Sequence, residues 1–390
     1  MDFSSFMIKY GVVIIFYVLI VLIVYFNRKK FEFQAKFIAL YRTQVGVKFM
    51  NLFAEWFRPI IKIMGYIGIF VGYIGMIFIF GYLLYGLYLL IYVPGAPAVL
   101  SPVIPGIPIP GSPIPIVPFW YGIIALFVVV AFHEFSHGIV SAAHKIKVKN
   151  SGIVFFGPLI GAFVEPDETN LKKKKWWTQQ SVFAAGPFGN VILAILAILI
   201  TSFLISPGLM SSVDPAGFYV RGVEDGMPAA LAGLEPGVIY NNVNGIEVND
   251  TVYLNTLLTE ISPGDKVIIS NNNLSHTIVS IEHPDIPGRA YLGVLWLSDN
   301  YVLKGDSYNL RYSFFYILRE FFFWVYLLSL GIGLANLLPL GPVDGGRMFH
   351  QSLEKAVGKK KSLAFFSRFT VILLILILVL VVVPILRAVL

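Results

Sequence analysis

The chain has 390 residues, 57 % of them hydrophobic and 13 % charged, with a mean hydropathy of +0.78. That balance excludes an ordinary soluble globular protein, and its apolar blocks are long enough for a bilayer, which a helix crosses in about 20 residues. A net charge of +7 raises nucleic acid as a partner, but the basic residues stand beside apolar runs and fit a lipid surface instead, so no nucleic acid is expected. With no Cys, structural disulfides and Cys-ligated metals are excluded, and the redox compartment is left open.

The first apolar run covers residues 8–26. Arg28, Lys29 and Lys30 follow it rather than precede it, and no Ala-x-Ala exit is visible, so it reads as a retained helix and not a signal peptide. Residues 27–62 are polar and basic. They predict an amphipathic interfacial helix around Phe31, Phe33, Phe37, Ile38 and Tyr41. A second span is expected over 63–92. Residues 94–118 form a Pro/Ile/Gly loop in which neither a helix nor a central strand can form. It lies in the membrane interface, folds over the mouth of the region that carries residues 133–137, or is a stiff extended connector.

The third span, 119–143, is followed by SGIVFFGPLIGAFVEPDE, two β-favouring apolar runs broken at Gly157-Pro158. A β-hairpin dipping to membrane depth is expected there, which the backbone tolerates only under a cover of protein or beside a wet cavity. Lys172 to Lys175 with Trp176 and Trp177 predict an anchor at the cytoplasmic interface. The fourth span covers 182–205. Composition then changes at Pro207, and 217–297 carries short alternating strands with turns at Glu235-Pro236-Gly237, Asn244-Gly245 and Pro263-Gly264. Spans resume at 312–338 and 363–386. The expected organisation is an N-terminal membrane region (1–206), a soluble insert (207–311) and a C-terminal membrane region (312–390).

Lys and Arg number eight in residues 27–62, seven in 144–177 and six in 347–368, so 21 of 29 fall in three alternate connections. Those connections are expected in the cytoplasm. Six spans then place the Pro loop, the insert and both termini outside, in what reads as the cell membrane of a prokaryote.

The third span contains His133-Glu134-Phe135-Ser136-His137. Residues four apart share one helix face, so His133 and His137 can present two imidazoles to one ion. Glu134 stands where a carboxylate can take a proton from water at that ion. The alternative is a hydrogen-bonded histidine pair in a helix bundle, but ionisable groups are expensive in hydrocarbon. A catalytic zinc site usually needs a third protein ligand. Asp344 is the only acid between Glu320 and Glu354, and it lies in a Pro/Gly-broken turn after the fifth span. Alone it would read as a turn residue or helix cap; beside an HExxH in the same membrane it reads as the third ligand. Two imidazoles and a carboxylate suit Zn²⁺, and spacing leaves other divalent metals open. His144, His276, His283 and His350 carry no such pattern.

HEFSH in the third span, FAAGPFGN (183–190) in the fourth and NLLPLGPVDGG (336–346) after the fifth resemble the site-2 protease family of intramembrane zinc metalloproteases. The resemblance implies a polytopic α-helical membrane protein with a catalytic zinc held by His133, His137 and Asp344, and with Glu134 as general base. It also implies substrate-positioning or oxyanion roles for Asn190 and Asn336, and transmembrane proteins as substrates. The run from Gly226 to Gly245 resembles the PDZ domain of processing proteases, with Val238 where an Asp is usual and no clear carboxylate-binding loop. Such a domain would bind extended peptides or act as a passive size filter. Two other classes compete with the enzyme: a zinc-bearing transporter and a non-catalytic membrane chaperone. Glu134 favours the enzyme, since neither alternative needs an acid beside the ligand, and no inverted repeat is visible.

The topology is testable because the chain is free of Cys. Ile107→Cys and Asp250→Cys are expected to react with an impermeant maleimide added outside intact cells, and Lys173→Cys only after lysis. Labelling of the third variant from outside would reverse the orientation.

Overall fold

The computed structural model describes residues 3–34, 38–156 and 159–389. The chain divides into two compact units, Met1–Thr201 with Glu320–Leu390, and Ser202–Arg319. In the first unit, α1 (Phe3–Phe26) leads to strands β1 (Glu32–Gln34) and β2 (Ile38–Thr43), α2 (Val47–Trp56) and α3 (Arg58–Tyr92). Then come α4 (Phe119–Ala143), β3 (Val148–Phe156), β4 (Leu159–Pro166), α5 (Glu168–Lys172) and α6 (Trp176–Ile200). A π turn, Thr201–Ile205, follows α6 at the boundary between the units, and α7 (Ser206–Met210) is the first helix of the second unit.

The second unit holds β5 (Val213–Val223), α8 (Pro228–Leu231), β6 (Ile239–Tyr240), β7 (Asn242–Val243), β8 (Ile246–Glu247) and α9 (Thr251–Thr259). It continues with β9 (Lys266–Ser270), β10 (Ser275–Val279), β11 (Ile281–His283), β12 (Ile286–Tyr291) and β13 (Val294–Leu303). The chain ends with α10 (Asn309–Asn336), α11 (Asp344–Val357) and α12 (Lys359–Val389).

Among the described residues, five helices are long and apolar enough to cross a membrane: Arg58–Tyr92, Phe119–Ala143, Trp176–Met210, Asp306–Asn336 and Lys359–Val389. The apolar part of α1, Tyr10–Phe26, is shorter. Large apolar side chains such as Phe70, Ile77 and Phe203 stand exposed on these helices, a surface that hydrocarbon accepts and water does not. The helices outrun the apolar stretches that signal them, because the backbone stays helical through the polar flanks; α3 begins at Arg58 and α6 at Trp176.

The structure corrects the reading of residues 31–41. In place of an interfacial helix there are two strands, β1 and β2, paired antiparallel. Phe31 and Phe33 alternate with polar residues, and Ile38, Leu40 and Tyr41 favour a pleated surface; Phe37 lies outside the described residues. β2 pairs with β3 from Ile38↔Phe156 to Thr43↔Ser151, so the expected hairpin β3–β4 is half of a four-stranded sheet, β1-β2-β3-β4, with β4 at one edge. The turn at Gly157-Pro158 lies outside the described residues. The amphipathic helix of this region is α2, whose Val47, Met50 and Ala54 are buried.

The Pro-rich segment has no regular structure and folds back over the helices rather than running as an extended connector. Val117 is buried in a cluster with Ala125 and Val129 of α4, Ala197 of α6 and Trp324 of α10. Val99 and Leu100 pack in another with Leu83 of α3 and Leu373 and Leu380 of α12.

The second unit carries sheets ordered β13-β5-β6 and β10-β9-β7-β8, and a β11-β12 pair. Phe218, Val220, Tyr240, Val267, Ile269 and Ile278 form its core with Leu254 of α9. Phe218 is fully buried, so Phe218→Ala is expected to destabilise this unit by about 3–5 kcal/mol. Amide hydrogen exchange in β5 and β9 should accelerate accordingly, while Val252→Ala, at an exposed site on α9, stays within about 0.5 kcal/mol.

Candidate metal centre

α4 presents His133, Glu134 and His137 over little more than one turn. His133 Nε2 and His137 Nε2 are 3.3 Å apart. Asp344 Oδ2 lies 3.1 Å from the first and 3.2 Å from the second. A tetrahedral ion with bonds of about 2.0–2.1 Å keeps its ligand atoms about 3.3–3.4 Å apart, so the triangle has the size of one face of a zinc site. The donor chemistry agrees. His137 Nδ1 donates to the Val182 carbonyl at 2.7 Å, which leaves its Nε2 as a lone pair aimed at the other two donors. Three electron-pair donors at this range repel unless a cation or a proton lies between them. These are the only three His, Asp, Glu or Cys side chains among the described residues grouped closely enough to hold a metal ion.

Each donor is brought there for a local reason. α4 and α6 cross closely because α6 offers a buried small-residue face, Ala184, Ala185, Gly186 and Gly189. A Cβ on Gly186 would stand 2.3 Å from His137 Nε2 and 2.4 Å from His133 Nε2, so only glycine leaves room for the imidazoles. Asp344 is the first residue of α11, with its carboxylate turned to the imidazoles rather than to the helix backbone. Gly345 and Gly346 follow where a Cβ would strike the carbonyls of Leu337 and Leu340 at 2.3 Å and 2.0 Å, so the start of α11 can lie directly on the turn that ends α10.

A buried polar network docks α11 on the helices beside it. Gln180 of α6 donates to the Met348 carbonyl at 3.2 Å and to Gln351 Oε1 at 2.7 Å, and it accepts from the Tyr73 hydroxyl of α3 at 3.2 Å.

The centre opens on a cavity of about 250 Å³, lined by His133, Glu134, His137, Asn336, Asp344, Arg347 and apolar side chains including Val164 and Leu171. Glu134 is tied to the sheet: the Val164 N–H of edge strand β4 donates to its Oε2 at 3.0 Å. Asn336 reaches the same cavity while its Nδ2 donates back to the Ile332 carbonyl at 3.0 Å. Asn190 does not line the cavity. It is fully buried on α6, and neither of its amide atoms has a hydrogen-bond partner. The other four histidines lie elsewhere; His144, for example, pairs with the Ser181 hydroxyl at 3.1 Å. Sequence reasoning missed the Val182 carbonyl and the Val164 N–H, which carry no side-chain signal. It also missed Arg347, which stood in plain view beside the Asp-Gly-Gly motif.

Helices of this length and apolarity make the chain a multi-pass membrane protein, and its donor set is of the metallopeptidase type. The chain matches the family model described as peptidase family M50 over residues 121–380, well over half its length. It belongs to that family, the site-2 proteases, a family of zinc metalloproteases. An uncharacterized protein of Methanocaldococcus jannaschii is 29 % identical over 244 residues, 61 % of this chain and 58 % of that protein. The zinc metalloprotease RasP of Shouchella clausii is 25 % identical over 221 residues, 46 % of this chain and 51 % of RasP. The chain thus spans about half the length of the curated relatives it matches.

The tight fit at Gly186 makes a prediction about metal affinity. Gly186→Ala is expected to weaken metal binding by at least about tenfold, the range found when the support of a ligand is disturbed. Gly81→Ala, where a Cβ meets nothing within 4 Å, should leave affinity unchanged. Competition with a chelating dye measures both.

Proposed function

We propose that the protein is an intramembrane zinc endopeptidase that hydrolyses peptide bonds in or near the transmembrane helices of membrane-protein substrates, as in regulated intramembrane proteolysis. His133, His137 and Asp344 hold the ion, and Glu134 is the general base. The observation that carries this reading is the donor triangle of 3.1–3.3 Å sides with Glu134 next to it in a cavity. Zinc at that place supplies Lewis acidity, polarising a carbonyl and acidifying water.

The Glu134 carboxylate accepts a proton from the attacking water and later delivers it to the leaving amine. The hydrogen bond from Val164 keeps it oriented for both transfers. Asn336, in the cavity, offers an amide N–H to the carbonyl oxygen as charge develops there. Asn190, buried with its amide unpaired, takes a positioning role from behind the site. A substrate helix unwinds locally to be cut, because a hydrogen-bonded helix hides its carbonyls from a nucleophile.

The basic connections support a reading with six spans, counting α1, in which both termini and the second unit lie outside the cell membrane and those connections inside. The second unit is read as a PDZ-like domain that screens or grips the outer parts of substrates.

Glu134→Gln tests the chemistry. It keeps size and the Val164 hydrogen bond, removes the basic carboxylate and leaves the three ligands untouched. The variant should fold and retain stoichiometric zinc while hydrolysis of a tagged transmembrane peptide falls by at least about 10²-fold. Near-normal proteolysis by the zinc-loaded variant would falsify the assigned mechanism.

A further inference from the structure

Among the described residues lining the cavity, Arg347 is the one cationic side chain. It lies on α11 three residues after Asp344, so the helix that brings the carboxylate to the imidazoles brings a guanidinium to the same cavity. Its Cζ stands 4.2 Å from the centroid of the Phe183 ring, which holds the planar group while leaving its N–H edge for an anion. That edge is engaged by Glu168, which accepts from Nη2 at 2.6 Å. Glu168 opens α5, and Pro166 and Leu171 on either side of it line the cavity as well.

The ion pair is exposed, with 39 % of the Arg347 side chain and 49 % of the Glu168 side chain accessible. A pair so wet is weak and exchangeable. Exposed lysines stand at the end of α5 and just after it, Lys172, Lys173 and Lys175, while Asp167, which caps α5, is paired with Lys149 at 3.4 Å. With a divalent ion in place, Asp344 and Glu134 balance it and Glu168 balances Arg347, so the cavity gains one uncompensated positive charge when Glu168 is displaced.

We propose that Arg347 is a specificity-determining residue that exchanges Glu168 for an acidic side chain of the substrate, Asp or Glu, close to the scissile bond. This rests on the peptidase reading above. Glu168 is then an internal stand-in for the substrate carboxylate, holding α5 to α11 until an acidic segment displaces it. The guanidinium fork suits a carboxylate through two parallel N–H···O bonds, which a lysine could not reproduce.

The test uses the full-length protein in lipid nanodiscs, loaded with zinc and checked by elemental analysis. Its substrates are transmembrane peptides carrying Asp, Asn or Lys at each position in turn within four residues of the cut. The wild type should favour Asp over Asn at one or more positions by about tenfold in kcat/KM, the scale of a charge-assisted hydrogen bond, with Lys poorer still. Arg347→Glu combined with Glu168→Lys keeps an internal ion pair of reversed sense, and it should turn the order round at those positions, with Lys above Asp. Equal rates for all three peptides at every position overturn the proposal, as does a zinc-loaded double variant that still favours Asp; Arg347 then only pins α5 to α11. A zinc-loaded wild type that cuts no peptide at all overturns the peptidase reading itself, a result distinct from uniform cutting.

Discussion

Lone pairs on three atoms within 3.3 Å of one another repel, and a bilayer interior offers little water to relieve them. Much of the membrane unit acts to hold that arrangement. α6 removes its own side chains at Gly186 so that the imidazoles fit, and lends the Val182 carbonyl to set one of them. α11 is pinned through Gln180, Tyr73 and Gln351, so that Asp344 has little freedom to swing away. Metal binding then draws on a site already assembled, and little of the ion's binding free energy is spent on ordering the chain.

The same constraint shapes the surroundings of the centre. The backbone groups of the four-stranded sheet are satisfied mostly through its own ladder. Of its two edges, β1 and β4, the second faces the centre, where Glu134 accepts one of its N–H groups. One hydrogen bond thus satisfies part of an open strand edge and aims a carboxylate. The Pro-rich segment supports the helices from another side. With few donors to satisfy, it can lay apolar side chains such as Val117 among α4, α6 and α10 without leaving many buried amides unpaired.

Some buried groups stay unpaired, and they are instructive. The amide of Asn190 is fully enclosed with no partner, next to a helix crossing where Gly333 of α10 comes within 3.2 Å of its Cβ as judged by an added methyl. A buried amide without partners is costly, and such groups cluster at functional sites. The Ser329 hydroxyl satisfies the Asn190 backbone carbonyl at 2.8 Å but does not reach the side chain.

The sequence by itself determined the membrane class, the long helices and the residues that meet at the centre. Hydropathy needs only local composition, and HExxH needs only the fixed rise of a helix to put two imidazoles on one face. Asp344 was legible because acids are scarce in so apolar a chain. Tertiary structure decided the rest. Residues 38–43 became a strand because a partner strand, β3, about 110 residues further on offered a ladder, and no local window contains that partner. The tautomer of His137 and the orientation of Glu134 depend on backbone groups of Val182 and Val164, which every residue possesses and no side chain announces. Arg347 gained its meaning only when folding set it over Phe183 and beside the cavity, because a single cation near a membrane boundary is otherwise one of many.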